Sequence, residues 1–80
     1  MGINVFERIR DIVSEQFDMD RESVTEDTDF LEELDADSLD VVELAMSIEE
    51  SFGIPQMSED DIRGIRTVGD LTDYVTKALG

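Results

Sequence analysis

The sequence predicts an all-α fold: a small four-helix bundle, with three longer helices and one short one, forming a single domain over residues 1–80. Three observations predict it. Apolar residues recur at helical spacing in three stretches. No segment alternates with the period of two that a half-buried strand requires. Ser, Thr, Asp, Gly and Pro stand where such helices would begin and end.

The first helix is predicted over about residues 3–17, because Val5, Phe6, Ile9, Ile12, Val13 and Phe17 share one face. Glu7, Arg8, Asp11 and Glu15 take the other. The polar stretch from Asp18 to Asp37 is too long for a bare connection in a compact domain. Val24, Phe30, Leu31 and Leu34 are expected to pin it to the core, with a helical turn near Asp29 to Glu33. The alternative, a free acidic linker, would leave Phe30 and Leu31 exposed together.

A second helix begins at Asp37 or Ser38. Leu39, Val42, Ala45, Met46 and Glu49 form one stripe, and Val41, Leu44, Ile48 and Phe52 an overlapping one. Gly53 is its natural stop, and Pro55 bars continuation. Ser58 with Asp61 makes a capping box for a short third helix that holds Ile62 and ends near Gly64. Thr67 with Asp70 repeats the device, opening a last helix with Val68, Leu71, Tyr74, Val75, Ala78 and Leu79 inward.

Charge narrows the function. There are 22 acids against 6 bases, a formal net charge of −16. From Glu22 to Ile62 there is no Lys or Arg, and the next cation is Arg63. Such a field repels nucleic-acid backbones and anionic membranes, and it attracts basic patches on other proteins. It also strains the fold at low salt, so cations should stabilise it. No apolar run approaches the ~20 residues of a membrane span. Met1 to Phe6 shows no secretory signal, and Phe6 breaks the myristoylation pattern.

The chemistry available is sparse. Without His or Cys there is no Ser-His or Cys-His pair, and no zinc site of the usual kind. No Gly-rich phosphate loop is present. Carboxylates are abundant, but acid–base work needs one in a dry pocket, and an 80-residue bundle has little room for one. Calcium-loop spacing fails from both Asp18 and Asp35. No catalytic residue and no metal site is expected.

What remains is Leu34-Asp35-Ala36-Asp37-Ser38-Leu39-Asp40-Val41-Val42-Glu43-Leu44. On the residues alone, Asp37 or Ser38 is an ordinary helix cap. Asp40, Glu43, Glu49 and Glu50 are a solvated face or a docking surface, and Met46 is core or contact. In context the run resembles the modification site of acyl carrier proteins. Leu34, Ala36, Asp37, Ser38, Leu39, Asp40, Val42, Glu43, Leu44, Glu49, Glu50 and Phe52 match that pattern. Ile54-Pro55, Ile65 and Thr67 to Leu71 continue it. Two departures stand out: Asp35 replaces the family's Gly, and Gly53 to Ser58 is altered by about one residue.

The resemblance implies a carrier rather than an enzyme. Ser38 would take phosphopantetheine covalently from coenzyme A, through a separate phosphopantetheinyl transferase, with Asp37 and Leu39 beside it. Asp40, Glu43, Met46, Glu49 and Glu50 would meet basic patches on acyl-transferring and chain-elongating enzymes of fatty-acid or polyketide-type synthesis. Ala45, Ile48, Ile62 and Leu79 would line a space for the acyl chain. A cytoplasmic monomer is expected. The alternatives are a specialised carrier outside housekeeping fatty-acid synthesis and, from another class, an acidic helical interaction module without cofactor.

Overall fold

The computed structural model describes residues 4–80. The readings that rest on Met1, Gly2 and Ile3 (a helix start at residue 3, and the missing secretory and lipidation patterns) lie outside the described residues. Four α-helices follow one another: α1 (Val5–Gln16), α2 (Ser38–Phe52), α3 (Glu59–Arg63) and α4 (Val68–Leu79).

Each helix starts on a side chain that takes up a free backbone N–H. The Asn4 side chain accepts from the Glu7 amide and opens α1. Asp37, Ser58 and Thr67 open α2, α3 and α4 with reciprocal capping boxes, whose returning acids are Asp40, Asp61 and Asp70. The boxes at Ser58 and Thr67 are the ones the sequence signals. α1 ends at Gln16, one residue before Phe17, because Asp18 turns into the left-handed region at φ 51°. α2 ends where Gly53 adopts φ 65°, a conformation that costs a glycine little.

The core forms where these helices meet. α1 packs against α4 and α2, and α2 against α3. Ile9 and Val13 from α1, Leu44, Ala45 and Ile48 from α2, and Val68, Leu71 and Val75 from α4 are buried. Burying each large aliphatic side chain contributes roughly 1.5–3 kcal/mol. α3 has no fully buried residue; Ile62 is its half-buried anchor. The inward stripe of α4 stops at Val75. Ala78 and Leu79, expected inside, are exposed on a final turn that runs past the core.

The long connection is pinned, as its apolar residues imply, but differently from expectation. A 3-10 turn forms at Arg21–Ser23, unannounced by any periodicity. Residues 28–30 then run antiparallel to 66–68. The Phe30 amide donates to the Arg66 carbonyl, and the Val68 amide donates to that of Thr28, both at 3.0 Å. One step on, the Gly69 amide donates to the Glu26 carbonyl at 2.8 Å. A Cβ on Gly69 would lie 3.0 Å from that oxygen, so the close approach favours glycine.

Phe30 is 1% exposed and holds the loop down, but Leu31 is 58% exposed and does not. The cause is local. Asp29 Oδ1 accepts from the amides of Leu31 and Glu32, making a tight turn that swings Leu31 outward. The Glu33 and Leu34 amides both donate to the Asp29 carbonyl, so the turn expected there exists without becoming a helix. Among the described residues, no helix is long and apolar enough to cross a membrane.

Candidate attachment site at Ser38

Two backbone features aim Ser38 at solvent. Asp35 sits at φ 51°, a left-handed position that Asp tolerates better than most residues. The chain then folds Ala36 inward, where it is buried and its amide donates to the Phe30 carbonyl at 2.9 Å. Asp37 follows in extended conformation. Its Oδ1 accepts from the Asp40 amide at 2.9 Å, and Asp40 Oδ2 accepts from the Asp37 amide at 3.2 Å. Both carboxylates are thus committed to the cap.

Ser38 is the first residue of α2, and it is exposed. Among the described residues no hydrogen bond engages its hydroxyl. The free amides and dipole of the helix start favour an anion nearby. Beside it opens a groove between α2 and α3 of about 420 Å³, with Leu31, Val41, Val42 and Ile62 on its walls and Glu59 and Arg63 at α3. Beneath lies an apolar hollow of about 10 Å³, which shares Phe30, Val41, Ile62 and Ile65 with the groove and adds Ala45. That is room for one water at most. An exposed, unbonded hydroxyl at the mouth of an apolar groove fits a phosphopantetheine arm.

Of the residues expected to line an acyl space, Ala45 and Ile62 border this hollow. Ile48 is fully buried in the core and is not among its walls, and Leu79 is exposed on the last turn of α4. Helical spacing marks both positions as inward; it does not separate the closed core around Ile48 from the hollow, nor show that α4 outruns its neighbours at Leu79.

The expected contact residues divide into two groups. Leu39, Glu43, Met46 and Glu50 are exposed and succeed one another along one stripe of α2, with Leu39 and Met46 at 64% and 57% exposure. Asp40 and Glu49 are half-buried and already occupied. The Asp40 carbonyl accepts from Gln16 Nε2 at 2.9 Å, tying α2 to α1. Glu49 Oε2 accepts from the Met57 amide at 2.8 Å, tying α2 to the loop before α3. A separate cleft between α1 and α2 includes Glu15, Glu43, Met46 and Glu50 and does not reach Ser38.

Two carboxylates hold the frame around the site. The Glu32 amide, helped by those of Leu31 and the Arg66 guanidinium, keeps the Asp29 carboxyl below its ordinary range despite burial. Arg66 also reaches Glu32, joining the long loop to the start of α4. Asp61 is likewise held low, first by Ser58 and then by the Tyr74 hydroxyl, which donates to it at 3.2 Å. Burial, followed by this bond to Asp61, pushes Tyr74 up. Among the described residues no group of three or more acids gathers as a metal site.

Of the groove's apolar walls the sequence marks Ile62 as lining an acyl space, but it gives no role there to Leu31, Val41 or Val42, and none to Arg63. One signal was available: Arg63 is the first cation after the long acidic stretch.

Known proteins are similar to this chain in sequence and in fold. The family model described as a phosphopantetheine attachment site matches residues 7–75. The acyl carrier protein of Lactobacillus johnsonii is 42% identical over 71 residues, covering 89% of this chain and 88% of that one. That of Thermotoga maritima is 40% identical over 76 residues, covering 95% and 93%. That of Lactobacillus acidophilus is 38% identical over 76 residues, covering 95% and 94%. A solved structure of the acyl carrier protein from Enterococcus faecalis superposes with a TM-score of 0.78 at 32% identity, over 92% of each chain. The chain therefore belongs to the acyl carrier protein family, built around a phosphopantetheine attachment site.

Proposed function

We propose that Ser38 is the attachment point for phosphopantetheine, and that the chain carries acyl groups to the enzymes of fatty-acid synthesis. The observation that carries this is the Ser38 hydroxyl itself: exposed, without a hydrogen bond among the described residues, at the first position of α2 and at the mouth of an apolar groove. When attached, phosphopantetheine supplies a thiol that holds acyl groups as thioesters, which this cysteine-free chain does not offer.

The chain's own residues explain why another enzyme must load it. Activating a serine hydroxyl requires a base within hydrogen-bond reach. The nearest carboxylates in sequence, Asp37 and Asp40, are bound to backbone amides, and there is no histidine. The base must come from the phosphopantetheinyl transferase. Asp37 and Asp40 instead hold the first turn of α2 rigid, so the hydroxyl is presented in one place.

Delivery falls to the exposed stripe of α2. Leu39 and Met46 offer small apolar contacts, and Glu43 and Glu50 draw in basic patches. Charges on the rim of an interface act mainly on the association rate, which suits a carrier that must bind and leave quickly. Asp35, in place of the family's glycine, is absorbed by a left-handed turn and supports no separate specialised role.

The test is acyl transfer. Arm-bearing protein should accept an acyl group from an acyltransferase of bacterial fatty-acid synthesis. Reversing Glu43 and Glu50 to Lys together should slow that reaction roughly tenfold or more at low salt, and less at high salt. An arm-bearing wild type that accepts no acyl group overturns the proposal.

A further inference from the structure

The groove that starts at Ser38 has one cation on its walls among the described residues, Arg63. The other arginines are engaged elsewhere. Arg66 pairs with Asp29 and Glu32, Arg21 with Asp11, Arg8 bonds Ser51, and Arg10 lies over the Phe6 ring. Lys77 belongs to the last turn of α4. Among the described residues Arg63 pairs only with Glu59, at 4.0 Å, with the two side chains 77% and 89% exposed. A pair so open to water holds its members weakly.

An anion on Ser38 would be drawn to such a cation. In sequence it would stand among Asp35, Asp37 and Asp40, and the groove adds Glu59, on a chain of net charge −16. The amides at the start of α2 offset part of this repulsion, but Asp37 already takes up that of Asp40. A guanidinium offers several N–H donors in a planar fork that matches phosphate oxygens. α3 is a five-residue helix anchored by a half-buried Ile62, so little packing resists a small adjustment of Arg63.

We infer that Arg63 is a positioning residue for the phosphodiester on Ser38, exchanging its loose contact with Glu59 for the phosphate and so tying α3 to the start of α2. This rests on the reading of Ser38 given above. In the arm-bearing protein the α2–α3 edge is then held by a charge contact that the unmodified protein lacks.

Wild type, Arg63→Gln and Arg63→Lys, each labelled with ¹⁵N, are treated with a broad-specificity transferase and coenzyme A, and intact mass establishes one arm per chain on Ser38. The Arg63 Nε–Hε resonance should move between the unmodified and the arm-bearing wild type. The ³¹P resonance of the phosphodiester should differ between wild type and Arg63→Gln, with Arg63→Lys in between. Salt should draw the wild-type ³¹P resonance toward that of Arg63→Gln as the screening length falls to about 3 Å near 1 M. If the Arg63 resonance stays put, and wild type and Arg63→Gln share one ³¹P shift at low salt, the inference is overturned while Ser38 keeps its role. If wild type takes no arm, the reading of Ser38 falls, and this inference with it.

Discussion

Helices α1 and α4 differ in kind from the edge formed by α2 and α3. α1 and α4 turn Ile9, Val13, Val68, Leu71 and Val75 almost wholly inward. α2 buries Leu44, Ala45 and Ile48 on one side and leaves Leu39, Val42 and Met46 in water on the other. α3 buries nothing completely. Single exposed apolar residues are ordinary on any surface, but these three lie on the helix that begins with Ser38, alongside Glu43 and Glu50. The difference teaches that packing is uneven within one helix: the face of α2 that carries Leu39 and Met46 is left out of the core that its other face builds with α1 and α4.

The same contrast exists between neighbouring residues, and there it is easiest to break. Phe30→Ala should cost about 3–5 kcal/mol by opening a cavity in the core, most of what so small a domain has. Leu31→Ala, one residue on, should change stability by no more than about 0.5 kcal/mol. Urea unfolding of the two variants decides it; equal costs would mean that Phe30 does not hold the loop down. A smaller effect is expected at the start of α4. Thr67→Ala removes the side chain that accepts from the Asp70 amide and should cost about 1 kcal/mol, read from the same denaturation curves.

Acid should expose the carboxylates that frame the site. Their unfolded-state pKa is about 3.9, and Asp29 and Asp61 are held below their ordinary range in the fold. Their contribution is therefore present above that value and is lost as pH falls through the lower folded values. Between neutrality and about pH 5 the dominant change is relief of repulsion in a chain of net charge −16, which stabilises. The melting temperature should therefore rise on mild acidification and fall below about pH 4. Asp29→Asn should flatten the acid limb; a profile that keeps rising to pH 3 would remove these two carboxylates from the account. The smallest expected change is a gain. Asp35→Gly relieves a left-handed aspartate and should add roughly 0.5 kcal/mol after the greater chain entropy of glycine is counted. It should leave loading at Ser38 intact, measured by calorimetry and mass.

What was legible in the sequence follows from range. Helix faces repeat over three or four residues, so the spacing of Ile9 and Val13, or of Leu71 and Val75, declares itself. Caps are equally local, and Asp37, Ser58 and Thr67 stand where they were expected. The pairing of Asp29 with Thr67 spans half the chain and leaves no periodic trace. Phe30 and Leu31 are alike in apolar character, and what separates them is the turn at Asp29, whose carboxylate is also held by Arg66, 37 residues away. Ala78 and Leu79 continue the stripe of α4 faultlessly and are nonetheless exposed. At the site, Ser38 was visible as a motif, while the groove beside it is made by the loop, α2 and α3 together.

The most direct measurement treats wild type and Ser38→Ala in parallel with a broad-specificity transferase and coenzyme A, then records intact mass and melting temperature. Wild type should gain one phosphopantetheine and the variant none, with the two unmodified proteins melting together, because Ser38 is exposed and its hydroxyl makes no hydrogen bond among the described residues. A loaded Ser38→Ala, or a folded wild type that stays unmodified, would contradict the assignment.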